Sequence, residues 1–294
     1  MTTAWLLNLD ADLEYARGDS YHRSPAMRRR IKAWSRRILG LPAKGDTLLP
    51  LEGPWVSEPG AALSRPEFRR ILCWSPTPSA LTQLRTLGLI PPKAPSLAVL
   101  RRVNAKEWVS PLGLGLAGGR LLGAMAEAQA VLARPSPSGA WRLKERFGFA
   151  GRGQRTVTGS LEPGDFRWIE ARIAEDGGLW VEPEALVLDA FALHGWVSPE
   201  GALRLGRLVR QRIGPRGCWE GAELALGPED EMRNAASLVA ERLREEGYFG
   251  PFGIDGIAWK MGALEGFTPV LECNARLTMA FGLGFPPEGI PEIS

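Results

Sequence analysis

Apolar positions along the chain alternate between short continuous runs and stripes at helical spacing. The first run, Ala4-Trp5-Leu6-Leu7-Asn8-Leu9, stops at Asp10 and predicts a buried strand. Ile31, Trp34 and Ile38 then recur at i, i+3 and i+7, the spacing of a helix with one buried side. Residues 40–66 are rich in Gly and Pro and predict a loop, and Ile71-Leu72-Cys73-Trp74 predicts a second short strand. From Pro78, apolar residues at 81, 84 and 87 lead to Gly88, which predicts a helix with Pro first and Gly last. This alternation predicts a small open α/β unit over about residues 1–100.

Further along, the Gly/Ala/Leu-rich segment 107–133 predicts helix, above all from Leu121 to Leu132, and Arg134-Pro135-Ser136-Pro137-Ser138-Gly139 predicts a turn. Ala140 to Lys144 predicts a strand that runs into the glycine-rich stretch Gly148-Phe149-Ala150-Gly151-Arg152-Gly153. Phe166–Ala174 follows as helix, with Leu179–Val181 and Ala190–Val197 as strands. The strongest helix signal is Pro228–Glu246, with Pro first, three acids in its first turn, a stripe of Met232, Ala236, Val239 and Leu243, and Gly247 as the stop. Gly253–Trp259 and Pro269–Asn274 predict a closing hairpin with its turn over 261–266. No internal repeat is present.

The chain has 294 residues, 45% hydrophobic and 23% charged, with 11 Trp and 10 Phe, which fits a folded globular protein and excludes a solvated tail. It contains no apolar run long enough to span a membrane, and its first residues lack the basic flank and cleavage site of a secretion signal. Cys73, Cys218 and Cys273 are scattered and odd in number, which suits a reducing cytoplasm. The net charge of +3 conceals a split: residues 1–140 carry 19 basic and 10 acidic side chains, and the remainder carries 17 and 23. The basic half suits an anionic substrate or a nucleic acid, and the acidic half suits a cation. Eight of the basic residues crowd between Arg17 and Arg37, where a solvated helix face also explains them.

Two constellations carry candidate chemistry. Lys144 ends a strand just before Gly148, Gly151 and Gly153, which places a cation beside backbone N–H groups that an anion can approach closely. Its spacing fits neither a Walker loop nor a dinucleotide turn, and a surface hairpin without a ligand fits it as well. In the closing hairpin, strand alternation puts Glu272, Asn274 and Arg276 on one face, with Asp255 able to sit opposite. Two carboxylates and an amide are hard oxygen ligands suited to Mg²⁺ with substrate phosphates; the alternative is a sheet face with its charges in solvent. Alternation turns Cys273 to the other face, toward a core. His194, on a strand, reads as a structural hydrogen-bonder, and the segment Arg216-Gly217-Cys218-Trp219 reads as either a substrate-contact loop or a plain connection.

Taken in chain order, Asn104-Ala105-Lys106, Trp141-Arg142-Leu143-Lys144 with its glycine loop, Trp180-Val181-Glu182, Asp189, Phe252-Gly253-Ile254-Asp255 and Glu272-Cys273-Asn274-Ala275-Arg276 resemble the ATP-grasp superfamily over about residues 100–280. The Asp…Glu-x-Asn-x-Arg ending is the most specific part. The resemblance implies an α/β (α+β) fold with an N-terminal open lobe over 1–105 and two nucleotide-clasping lobes, 106–182 and 183–294. It implies that Lys106 and Lys144 hold the nucleotide phosphates, with Gly148, Gly151, Arg152 and Gly153 in a flap over them. It puts Glu182 at the hinge beside the adenine and Asp189 at the ribose, although Glu184 is a second candidate there. Asp255, Glu272 and Asn274 match magnesium ligands, and Arg276 matches the residue that stabilises the transferring phosphoryl group. Glu145 departs from the pattern, standing where a proline is frequent.

The implied activity is an ATP-dependent, Mg²⁺-requiring ligase of the cytoplasm. It would activate a small-molecule or peptide carboxylate as an acyl phosphate for attack by an amine and release ADP. A small-metabolite kinase uses the same architecture. A nucleic-acid-binding protein would explain Arg17–Arg37 but leave Asp255, Glu272 and Asn274 without a role.

Overall fold

The computed structural model describes residues 3–53, 68–148, 151–214, 217–285 and 290. Three sheets organise them. The first is parallel and holds β1 (Thr3–Leu6) between β2 (Thr47–Leu48) and β3 (Arg70–Cys73). Strand alternation sends Ala4 and Leu6 to one core, shared with Leu84 of the helix Pro78–Thr86, and Trp5 to another. β1 is shorter than its apolar run, because Leu7–Asp10 turns into helix α1 (Ala11–Arg17). The basic stretch forms a single 3₁₀ turn and then α2 (Pro25–Ser35), which Ser24 caps through the Met27 N–H. Helices α3 (Pro78–Thr86) and α4 (Leu97–Val103) follow β3. Of the loop expected over 40–66, residues 54–66 lie outside the described residues.

The second sheet is antiparallel and has the order β4 (Arg120–Leu122), β7 (Leu179–Pro183), β5 (Ala140–Glu145), β6 (Gln154–Thr158). Here the expectation of one helix through 107–133 is corrected. Pro111 and five glycines between 113 and 123 break the segment into a 3₁₀ stretch over Lys106–Leu112, the strand β4, and a helix α5 (Met125–Leu132). The helix expected at 166–174 is longer, α6 (Pro163–Asp176). A Glu162/Asp165 capping box extends its start, and left-handed Gly177 ends it. Leu132, Leu143, Val157, Ile169 and Val181 fill a core that belongs to this sheet alone.

The third sheet runs β10 (Trp219–Leu224), β9 (Leu203–Ile213), β8 (Leu186–Val197), β11 (Gly250–Met261), β12 (Leu264–Asn274), all antiparallel. The closing hairpin is tighter than expected, since Met261 pairs with Leu264 across Gly262–Ala263. Helix α7 (Glu229–Glu245) packs on β8, β9 and β12 through Met232, Ala236, Val239 and Leu243. Pro228 stands at its N-cap, outside the helix proper. Gly256 permits this approach: a Cβ there would lie 2.7 Å from Met232 Sδ. A short helix, α8 (Phe281–Gly284), follows the hairpin.

The first and third sheets share one continuous core, from Trp5, Tyr15 and Trp74 through Leu100 and Trp108 to Phe252 and Val270. Hydrogen bonds stitch the segment after β12 to the N-terminal half. Ala275 N–H donates to Asn104 Oδ1 at 2.9 Å, Leu277 N–H to the Trp74 carbonyl at 3.1 Å, and Leu39 N–H to the Met279 carbonyl at 2.9 Å. At the centre, Arg276 donates from Nε and Nη2 to the two carboxylate oxygens of Asp12, at 3.1 and 2.7 Å. Both side chains are buried.

Removing one member of such a pair strands the other charge without water. Asp12→Ala is therefore expected to destabilise the protein by about 3–5 kcal/mol in a urea unfolding titration. A loss below about 1 kcal/mol, the range of exposed pairs, would show that the pair is solvated.

Candidate functional site

The three sheets meet around a cleft of about 440 Å³. From the second sheet it receives Arg142, Lys144, Glu182 and Glu184, and from the glycine stretch Gly148, Gly151 and Arg152. The third sheet and its continuation contribute Gln211, Asp255, Glu272, Asn274 and Arg276, and Lys106 enters from the 3₁₀ segment. Asp12, Trp34, Arg37 and Trp74 close the N-terminal end. The cleft therefore gathers ten of the twelve candidate residues; Gly153 and Asp189 lie off its wall.

β11 and β12 place the oxygen ligands. Asp255 is paired directly with Glu272, and Gly253 with Asn274. Asp255 Oδ1 accepts from Gln211 Nε2 at 2.7 Å and Oδ2 from Asn274 Nδ2 at 2.9 Å. Burial, reinforced by the nearby Glu272 charge, pushes the Asp255 carboxyl up to about 6. Burial also raises Glu272, but the ammonium groups of Lys106 and Lys144 outweigh it and hold that carboxyl below its ordinary value. Lys106 Nζ sits 2.7 Å from Glu272 Oε1. The group consists of two carboxylates and one amide; no cluster of three His, Cys, Asp or Glu side chains suited to a metal occurs among the described residues. Cys273, one residue from both ligand candidates, faces the shared core.

On the opposite wall, Lys144 forms a close ion pair with Glu182, and both are buried. Glu182 Oε2 also accepts from Trp180 Nε1 at 2.7 Å, so its side chain is spent inside the wall. Its backbone is better placed: β4 reaches only as far as Val181 on β7, leaving the β7 edge from Glu182 onward without a strand partner on that side among the described residues. Of the two acids considered for the ribose, Glu184 lines the cleft, in a close pair with Arg142 and 3.2 Å from Thr156 Oγ1. Asp189 instead faces Arg210 at 2.9 Å and accepts from the Ala190 N–H.

The glycine stretch closes the β5–β6 hairpin. Glu145 N–H donates to the Gly153 carbonyl at 2.7 Å, and a Cβ on Gly153, whose φ is +66°, would strike the Glu145 carboxylate. Gly153 thus shapes the hairpin where the glycine stretch rejoins β6. Gly151, at φ +70°, approaches the Gly217 carbonyl so closely that a Cβ would come within 2.5 Å. Phe149 and Ala150 lie outside the described residues, as does Arg216 of the segment read as either a substrate-contact loop or a plain connection. Gly217, Cys218 and Trp219 of that loop line the cleft.

Several participants carry no signal in the sequence. Gln211 lies on β9, whose apolar alternation changes phase at a register shift opposite Leu193–Gly195. Asp12 stands in the series Asp10, Asp12, Glu14, and all three are buried. In the structure Asp10 binds Arg23 Nε at 2.7 Å and Glu14 accepts from the Ser79 N–H at 2.8 Å. His194 is structural, as expected: it is buried, lies 2.8 Å from Thr278 Oγ1, and is pushed down to about 3 by burial. Within the basic stretch, Arg23, Arg28 and Arg37 have internal partners in Asp10, Glu52 and the Trp219 carbonyl. Among the described residues no helix is long and apolar enough to cross a membrane.

No protein-family model matches the chain, and no curated protein matches it. Solved structures do. D-cycloserine synthetase is 14% identical with a TM-score of 0.57, over 97% of this chain and 94% of that one. D-alanyl-alanine synthetase A from Vibrio cholerae is 13% identical with a TM-score of 0.55, over 99% and 92%. N5-carboxyaminoimidazole synthetase from Staphylococcus aureus, complexed with ADP, is 11% identical with a TM-score of 0.51, over 94% and 70%. The chain spans only 42% of the biotin carboxylase domain of a Hydrogenobacter thermophilus carboxylase, at a TM-score of 0.46. At such identities the likeness carries the fold and nothing finer: the chain has the ATP-grasp fold.

Proposed function

We propose that this chain is a Mg²⁺-dependent ligase that uses ATP to activate a carboxylate for attack by an amine. The observation that carries the reading is the pairing of Asp255 with Glu272 on one wall of a cleft whose other wall presents Lys144. The fold likeness to synthetases, one of them solved with ADP, supports it. In this reading residues 106–182 and 183–294 are the two clasping lobes and residues 1–105 the third lobe.

ATP would supply the phosphoryl group that converts a carboxylate into an acyl phosphate, with ADP as the leaving product. Glu272, Asp255 and Asn274 would hold Mg²⁺, and the donor set fits: hard oxygens, one of them on a carboxyl that burial and a like charge leave raised and that a cation would relieve. Asn274 would turn its amide oxygen toward the ion. Lys106 and Lys144 would exchange carboxylate partners for phosphate oxygens, and Mg²⁺ would take the place of Lys106 beside Glu272. The unpaired backbone edge beyond Val181 would take the adenine, Glu184 rather than Asp189 the ribose. Arg276, oriented by Asp12, would stabilise charge on the transferring group at little reorganisation cost.

Two expectations test this. Isothermal titration of the folded chain is expected to show saturable ATP binding that needs Mg²⁺ and disappears with EDTA; no heat with Mg²⁺ present would remove the nucleotide reading. In ADP-release assays against pools of carboxylates and amines, Glu272→Gln should lower turnover by about 100-fold or more while the protein stays folded. Asn274→Ala should cost about tenfold, because water can replace an amide oxygen at magnesium. Cys273→Ala, on the core side of the same strand, should leave turnover nearly intact. A greater loss from Cys273→Ala than from Glu272→Gln at equal folded fraction would assign the strand a purely structural role.

A further inference from the structure

The charges that line the cleft are not evenly satisfied. Lys106, Arg142, Lys144 and Arg276 each face a carboxylate, on Glu272, Glu184, Glu182 and Asp12 respectively. Arg37 and Arg152 line the same cleft with aromatic partners instead. The Arg37 guanidinium lies over the Trp219 ring at 5.6 Å and donates to the Trp219 carbonyl at 3.1 Å, and Arg152 lies over the Trp34 ring at 5.8 Å.

These two pairs belong to one wall. The Arg37 N–H closes a turn on the Trp34 carbonyl at 2.8 Å, so Trp34 and Arg37 sit together at the end of α2. Gly151, next to Arg152, touches Gly217, two residues before Trp219. The end of α2, the glycine stretch and the start of β10 therefore converge on one part of the cleft wall. A guanidinium stacked on an indole is held in place while its N–H edge stays available to an anion, and the indole and Met279, which lines the same cleft, supply apolar surface. Among the described residues neither cation faces a carboxylate, which leaves this part of the cleft short of negative charge.

We propose that this wall is the subsite of the non-nucleotide substrate, with Arg37 as the anchor of an anionic group, carboxylate or phosphate, and the tryptophan wall holding an apolar or aromatic body. Arg152 reaches the same anion from the glycine stretch. The inference rests on the nucleotide reading for the word substrate, but the anion subsite itself does not.

Intrinsic tryptophan fluorescence of the full chain, with and without saturating MgADP, tests it with three probes of one aromatic body: benzoate, phenyl phosphate and benzamide. A saturable change is expected with at least one anion and none with neutral benzamide, and the tighter anion identifies the headgroup. Arg37→Gln should weaken that anion by about tenfold or more and leave MgADP affinity within about twofold, with Arg37→Lys between them. The proposal is overturned if neither anion saturates, if benzamide binds as well, or if Arg37→Gln binds the anion like wild type. It is equally overturned if MgADP weakens by the same factor, because Arg37 would then serve the nucleotide. Arg37-dependent anion binding by a chain that fails to bind MgADP would sink the nucleotide reading and leave the anion subsite standing.

Discussion

Arg276 lies buried against Asp12, and the working surface of the third sheet depends on that pair. β12 ends at Asn274, so strand pairing fixes Glu272 and Asn274 but does not reach Arg276. Residues 275–279 are held instead by the N-terminal half, through Asn104, Trp74, Leu39 and Asp12. The shared core pins the first and third sheets together, while the second keeps a core of its own. One wall of the cleft is thus a composite of two distant parts of the chain, and the opposite wall is a separately packed unit. A site that must clasp and release a ligand between walls gains from that division.

The cleft also balances its charges before any ligand arrives. A buried lysine or arginine without a partner is costly, and four of the cleft's cations meet carboxylates in this structure. A polyanion can take the place of the carboxylates at Lys106 and Lys144, while the Arg276–Asp12 pair stays in place. Asp255 is the exception on the acidic side: its partners are the neutral amides of Gln211 and Asn274, and burial together with the Glu272 charge leaves its carboxyl raised. Arg37 and Arg152, which meet aromatic rings and no carboxylate among the described residues, are the exceptions on the basic side.

Much of this is legible in the sequence wherever local pattern and tertiary role agree. The hairpin bearing Asp255 and Glu272, helix α7 and the strand leading to Lys144 follow from period, caps and turn residues, and strand alternation alone turns Cys273 inward. Segment 107–133 misleads because Leu121 and Leu122 continue a helical stripe, while the strand they form exists only through pairing with β7. α1 and α4 carry seven residues each, too few to register a period. Asp12, Gln211 and the tryptophan wall are illegible for a deeper reason. Their roles come from partners about 264, 44 and 182 residues away, and nothing in their own neighbourhoods marks them.

The central claim is that a nucleotide lies between the second and third sheets. Hydrogen–deuterium exchange of the full chain with and without MgADP measures this most directly, because a ligand held by both walls slows local opening on both. The account predicts added protection over residues 141–145, 182–185 and 252–257 together, with α3 unchanged. Protection confined to one wall, or a difference only along α2, would contradict it.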